Sequence, residues 1–448
     1  MIRLHVKDWS CKLIVVAFAL LFSIPELTAQ PECRSTLGAY LKPVSEKLPL
    51  NWATELTLSP GIMSDRQIFN GMAYLGLGYF TKSNKHQVYF EGAYKYWYNS
   101  TDGPGLAGTG TGYADFDKPE KKHFGFREMY YEYNDLFSVK AGIQSMKTVG
   151  SMLLDERVLG ISGSKEWGNV NIRLAGGTVY DEIARMQDVC GTRHLYNLVR
   201  GSKVNFVGDK MLDSNFWLAE LNWKPGSKKT TNEVPADEFA AFDSGDEFSE
   251  FSTEGKTKKP AFVRLKNISV RLYEEFGKVF PAYKYYAGTS AVFELGKSIQ
   301  FQTEFLGQLM DENKAIFWKA LLQKDMFRHN GALTSLKIGY LGIQKIDDEV
   351  LHFPSYSNLF KGEVMRLDMM HLPILEFGID HRFSNKLKSQ FGCNYIHQLE
   401  GTNTHELNVI YSLKPWKHLH LYTIAAWMQS DLMEEDNYLL KLEARFAF

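Results

Sequence analysis

The chain has 448 residues, 51 Lys and Arg against 52 Asp and Glu, a formal net charge of −1, and an aromatic content of 14%. A nucleic-acid partner leaves a basic footprint, so this balance excludes nucleic acid as the expected partner. Length alone allows two or three soluble domains. However, no Pro-rich or Gly/Ser-rich linker separates two cores, and one alternation of period two runs from about residue 51 to the end, which predicts a single large sheet.

Residues 1–29 carry Arg3, Lys7 and Lys12, an apolar run over 13–24, then Pro25 and the small-residue end Leu27, Thr28, Ala29. This order predicts a secretory signal peptide removed after Ala29; the run is too short to span a bilayer. Residues 30–50 follow as an amino-terminal lead, too short for a receptor-type plug. Beyond the signal, no stretch approaches 18 consecutive apolar residues, so residence in a membrane would require a closed barrel, the other structure that satisfies its own backbone in lipid. Processing leaves Cys33, Cys190 and Cys393, an odd number at wide spacing and no disulfide framework. Cys33 follows Pro31 and Glu32 rather than the small residues of a lipoprotein signal. Cys393 lies between apolar positions and reads as a small outward residue.

Strands are predicted over 51–59, 71–80 and 86–98; in the last, Val88, Phe90, Tyr94, Tyr96 and Tyr98 alternate with Glu91 and Lys95. The Gly-rich stretch 99–121 precedes no helix and has no Lys-Ser/Thr at phosphate-loop spacing, so it reads as a loop. Strands over 124–133, 137–148, 157–166, 169–179 and 216–223 follow, with tight turns at Asn134-Asp135 and Trp167-Gly168 and a long loop over 180–214. Residues 224–260 lack any period and are rich in Lys, Asp, Glu, Ser and Thr, which predicts a solvated, disordered insertion. The pattern resumes over 262–273, 282–295, 298–309, 315–323 and 332–342. After the loop 343–370 it continues over 372–383, 387–397, 406–413, 418–427 and the terminal strand. The total is about 18 strands, within a range of about 16–18, an even number as bacterial barrels require. Long connections alternate with short turns, as expected for a barrel with one long-loop end. The insertion at 224–260 breaks that alternation and marks where a missed strand would shift the count.

The terminal strand is the clearest. Tyr438, Leu440, Leu442, Ala444, Phe446 and Phe448 share one face; Lys441, Glu443 and Arg445 lie between them. Strand 298–309 repeats the division, with Ile299, Phe301, Thr303, Phe305 and Leu309 against Gln300, Gln302, Glu304 and Gln308. Extending this parity gives the pore-lining candidates Glu91, Lys95, Glu128, Glu132, Gln144, Arg173, Arg271, Lys284, Glu294, Gln302, Glu304, Lys319, Lys337, Glu376, Asp380, Arg382, Lys441, Glu443 and Arg445. Both signs are mixed, so no ion-selective ring is read, and cross-strand pairing is the expected state of most of them.

Catalytic and metal patterns are weak. Ser162 and Lys165 read S-x-x-K, but on a strand the two point to opposite sides. His418 and His420 share a strand face without a third ligand, and Cys190 with His194 forms an isolated pair in a loop. No enzyme activity, metal or cofactor is expected.

The terminal strand resembles that of Gram-negative outer-membrane β-barrel proteins, in which a final aromatic helps mark the chain for insertion. The resemblance implies cell outer membrane residence after signal cleavage, lipid around the wall, and engagement of the barrel assembly machinery through the strand ending at Phe448. Residues 124–177, with F-R-E-M-Y-Y-E-Y, S-V-K-A-G-I-Q-S-M-K, L-L-D-E-R-V-L-G and G-N-V-N-I-R-L-A-G-G, resemble the early hairpins of the alginate-export type of porin, which has about 18 strands. That family has Gly-Arg-Gln where this chain has Gly142-Ile143-Gln144, and a loop Arg matched by the segment 155–157. The expected function is passive diffusion of a small polar solute through a lumen narrowed by inward-folded loops, with 103–112 and 180–214 as candidates. The alternative is a non-conducting barrel that binds partners or acts as a scaffold.

Overall fold

The computed structural model describes residues 37, 41–45, 47–63, 66–81, 83, 85–99, 120–148, 153–179, 214–225, 263–277, 283–296, 298–310, 313–327, 330–345, 373–400, 403–429, 431 and 437–448. Its strands are β1 (Lys42–Ser45), β2 (Leu48–Met63), β3 (Arg66–Phe80), β4 (His86–Asn99), β5 (Glu120–Asn134), β6 (Ser138–Lys147), β7 (Asp155–Trp167), β8 (Val170–Val179), β9 (Ser214–Trp223) and β10 (Val263–Gly277). They continue as β11 (Tyr283–Leu295), β12 (Ile299–Met310), β13 (Asn313–Phe327), β14 (Leu333–Lys345), β15 (Ile374–Arg382), β16 (Gln390–Gln398), β17 (His405–Trp416), β18 (Leu419–Gln429) and β19 (Asn437–Ala447). From β2 to β19 each strand pairs antiparallel with the next, and β19 returns to β2. The result is a closed antiparallel barrel of 18 strands, which leaves no wall strand with an unpaired edge.

The alternation read from the sequence becomes two faces. On β12, Phe305 and Leu309 point outward and are exposed, while Gln302, Glu304 and Gln308 point inward and are buried. On β19, Tyr438, Leu440 and Leu442 are outward; Lys441 and Glu443 are inward. The exposed tryptophans lie at the two ends of the outer wall, Trp167, Trp223 and Trp416 with Tyr79, Tyr131, Phe137 and Phe448 at one, and Trp217 and Trp427 with Tyr283 and Tyr438 at the other, while Phe126, Phe305 and Phe377 lie between. Such girdles match the two interfaces of a bilayer. Among the described residues no helix is long and apolar enough to cross a membrane.

Both termini of the barrel lie at one end, because Glu55 near the start of β2 faces Ala447. The seam pairs Leu439, Leu440 and Lys441 with Met63, Ile62 and Gly61, then Ala444 to Ala447 with Leu58 to Glu55, skipping Pro60. Proline has no N–H to give the ladder, and Ser59 spans the gap by donating its hydroxyl to Glu443 at 2.9 Å. Phe448 closes the cylinder by exchanging both backbone hydrogen bonds with Thr54, at 2.9 and 3.0 Å. Short turns lie at this end. In the β7–β8 turn Gly168 takes φ +62°, a left-handed value that glycine adopts without a Cβ penalty. The connections β4–β5, β8–β9 and β14–β15, which hold the long loops, lie at the far end.

Three features depart from the sequence reading. First, strict alternation fails in β5, where Glu91 pairs with Glu128 and Gly92 with Phe126. Arg127 is the extra residue of a β-bulge, so Arg127 and Glu128 both turn inward and both are buried. Second, β9 and β10 pair directly over ten residues, including Trp223 with Ile268. No strand is missing between them, and the insertion, which lies outside the described residues, connects strands at the short-turn end. Third, the lead is not a bare approach to the barrel. β1 hairpins onto β2, pairing Lys42 with Trp52, and Leu37 is fully buried inside. Four apolar side chains on β2, β3 and β4 surround Leu37, which itself belongs to no period-two pattern.

Candidate functional site

The inner wall is built from the alternate positions that β2 to β19 turn away from the apolar outer face. A charge held there away from water is costly unless an opposite charge or donor meets it. The inward charges accordingly meet one another across neighbouring strands or, for Arg271 and Glu304, across one intervening strand. Arg127 Nε lies 2.7 Å from Glu91 Oε1, with both side chains fully buried, and its guanidinium covers the Tyr74 ring at 4.2 Å. Arg271 Nη2 lies 2.9 Å from Glu304 Oε1, again without exposure to speak of at either group. Arg173 meets Glu220 at 3.0 Å and donates to the Lys147 carbonyl at 2.6 Å. Lys284 pairs with Glu275 at 3.2 Å, and Lys337 with Asp380 at 3.6 Å.

The seam holds a larger network. Lys441 and Arg445 both reach Glu443, at 3.1 and 2.7 Å, and Arg445 extends to Glu55 at 3.8 Å. Alternation on β19 forces all three side chains to the same face. The facing strand β2 supplies both Glu55 and Ser59, so the closure is held by ladder and side chains together.

The other sequence candidates fall as follows. Glu128 is buried beside the bulge. Glu132 meets Lys140 at 3.5 Å, and that lysine stands over the Tyr130 ring at 4.0 Å. Gln144 accepts from Ser162 at 2.9 Å and donates to the Gly160 carbonyl at 3.0 Å. Glu294 pairs with Lys266 at 2.8 Å. Gln302 is buried on the inward face of β12, and Lys319 stands directly across from Glu304. Glu376 and Arg382 occupy inward, half-buried positions on β15. Lys95 pairs with Met72 in the ladder, but its side chain lies outside the described residues, as do Cys190, His194 and the loops 103–112 and 180–213.

The remaining chemical motifs disperse. Ser162 is engaged by Gln144, and Lys165 is exposed on the opposite face. His418 bonds to the Ala447 carbonyl at 2.7 Å and stacks on Phe448, whereas His420 bonds to the Tyr422 hydroxyl at 3.0 Å. Among the described residues no group of three side chains is placed to hold a metal ion.

Sequence reasoning missed Arg127 because parity assigned it outward; the adjacent charges Arg127 and Glu128 inside a strand were the available signal. It also missed an aromatic component of the wall. Tyr89 and Tyr130 lie 5.2 Å apart, Phe216 stacks on Tyr273 at 6.1 Å, and Tyr273 lies 5.8 Å from Tyr286. All five are inward and buried. A cavity of about 1040 Å³ bordered by Ile161, Leu174, Trp217, Leu272, Leu309 and Ile316 lies mainly on the outward, apolar face and is no part of this site.

No family model and no curated protein matches the sequence. Solved structures do. OccK9 (OpdG) of Pseudomonas aeruginosa is similar with a TM-score of 0.54 at 10% identity, over 90% of this chain and 98% of that one. OccD3 (OpdP) of the same organism gives a TM-score of 0.51 at 11% identity, over 94% and 96%. OprD, also of Pseudomonas aeruginosa, gives 0.51 at 10% identity, over 94% and 98%. At such identities the likeness is one of fold.

Proposed function

We propose that the chain is an outer-membrane channel through which small polar solutes diffuse passively. The observation that carries this reading is the division of a closed 18-strand wall into an apolar outer face with two aromatic girdles and an inner face of ion pairs, amides and hydroxyls. Lipid suits the first and water or a polar solute the second. The fold neighbours of the OprD and Occ group are outer-membrane channels, which supports the reading by analogy of fold. In it, the half-buried candidates such as Glu132, Arg173, Glu294, Glu376 and Arg382 line the path while the fully buried pairs brace the wall behind it; loops at the long-loop end narrow the path, and transport needs no cofactor and no chemical step. The chain would reach the outer membrane of a Gram-negative cell after signal cleavage, with its last strand and Phe448 presented to the barrel assembly machinery. Described inward charges of both signs are mixed, which favours neutral or zwitterionic solutes over a strongly charged one. The resemblance of 124–177 to alginate-export porins does not extend the proposal to an anionic polysaccharide, because the Arg of Gly-Arg-Gln is replaced by Ile143.

Full burial of the Glu91–Arg127 and Arg271–Glu304 pairs favours a second reading, a filled barrel that displays its loops to a partner. Liposome swelling separates the two. Vesicles holding the refolded protein should swell in iso-osmotic small sugars or amino acids at rates that fall with solute size. Rates equal to those of protein-free vesicles would leave the filled barrel.

A further inference from the structure

β3 turns Met72 and Tyr74 inward, but its next two inward positions are Gly76 and Gly78. The spaces left there are occupied by the lead. A Cβ placed on Gly76 would lie 3.1 Å from the Cβ of Leu37 and 2.8 Å from the Tyr89 hydroxyl; one on Gly78 would lie 2.6 Å from Cδ1 of Leu41. Leu37 is fully buried among Ala53, Met72, Tyr74 and Ala93, with Leu41 packed against the same group. Its backbone N–H donates to Glu91 Oε2 at 3.3 Å, the oxygen that also accepts the Tyr89 hydroxyl. The other oxygen of that carboxylate faces Arg127. The bulge that turns Arg127 inward thus fixes the carboxylate that holds Leu37. At the rim, the β1–β2 hairpin anchors the segment covalently and by ladder pairing of Lys42 with Trp52.

Steric fit at two glycines, a backbone bond to a buried carboxylate and the hairpin anchor agree on one position. We propose that the inner surface over Gly76, Gly78 and Glu91 is a docking site for the chain's own amino-terminal lead, and that the docked lead narrows the path at the short-turn end. The narrowing rests on the channel reading above; the docking does not.

The test uses the full barrel with Cys33, Cys190 and Cys393 changed to Ser, carrying Leu37→Cys and Gly76→Cys. A Cβ–Cβ distance of 3.1 Å is near the roughly 3.8 Å of a disulfide, so oxidation should join the two, detected as a linked peptide by mass spectrometry. In a planar bilayer the oxidised protein should show a smaller unit conductance than the reduced one, and a chain lacking residues 30–41 a larger one than either. Failure of the disulfide to form in folded barrel overturns the docking. A disulfide that forms while oxidised, reduced and truncated proteins conduct alike overturns the narrowing and leaves the channel reading intact. A disulfide without current in any form overturns both the narrowing and the channel reading.

Discussion

Removing Arg271 tests whether the inner wall is dry where the structure packs it. Arg271 and Glu304 stand 2.9 Å apart on β10 and β12, both essentially unexposed, with Gly288 of the intervening β11 leaving room for the guanidinium. Arg271→Met keeps much of the volume and leaves Glu304 buried without its partner. Stranding one member of a buried pair costs about 3–5 kcal/mol. Lys319, directly across the ladder from Glu304, offers a substitute cation, so the lower end of that range is expected. Adding Glu304→Leu removes the stranded charge, and the double variant should return to within about 1 kcal/mol of the parent or exceed it. The assay is urea unfolding of the refolded protein in detergent micelles, followed by tryptophan fluorescence, with midpoint and slope fitted separately. A single variant within about 0.5 kcal/mol of the parent, the size of an ordinary surface substitution, would refute the reasoning. It would show that water reaches this pair.

Gly142 takes φ +129°, and a Cβ there would stand 2.2 Å from the Met129 carbonyl oxygen, so Gly142→Ala should cost at least about 1–3 kcal/mol in the same unfolding assay. Gly168→Asn should be nearly neutral there, because its Cβ meets nothing within 4 Å and Asn tolerates φ > 0. In the exposed turns, the hydrogen bond and charge of Lys85 hold the Asp135 carboxyl below its usual range, and the same contact raises the Lys85 ammonium. The aspartate's contribution is complete above its unfolded value of about 3.9 and is lost as pH falls through the lower folded value; the lysine's is complete below about 10.4 and is lost as pH rises through its raised value. An NMR titration placing the Asp135 midpoint at or above that of an unfolded chain would contradict this. Replacing residues 226–261 with a short Asn-Gly turn should leave a folded, heat-modifiable barrel, since β9 and β10 already pair directly; loss of the folded band would show that the insertion carries structure the wall needs.

The wall was legible in the sequence because an apolar outer face and a polar inner face impose a period of two that Ile299 to Leu309 and Tyr438 to Phe448 display residue by residue. The division of inward from outward followed from it without knowledge of any neighbour. Pairing was legible only as a tendency: nothing in the chain says that Arg271 passes over β11 to reach Glu304 rather than stopping at Ser290. Arg127 was hidden because a bulge inserts one residue and reverses parity on one side of it, leaving Phe124 and Phe126 outward and Tyr130 inward. The lead was illegible for a different reason. Leu37 and Leu41 have no repeat and no partner near in sequence, and the holes they fill are the absent side chains of Gly76 and Gly78 on another strand.

Conductance of single molecules of the intact refolded protein in a planar bilayer under salt tests the central claim most directly. The account predicts discrete, uniform steps as barrels insert, with both ion signs contributing to the current because the inward charges are mixed. Heat-modifiable barrel that inserts and carries no current, in the parent and in the chain lacking residues 30–41 alike, would contradict it.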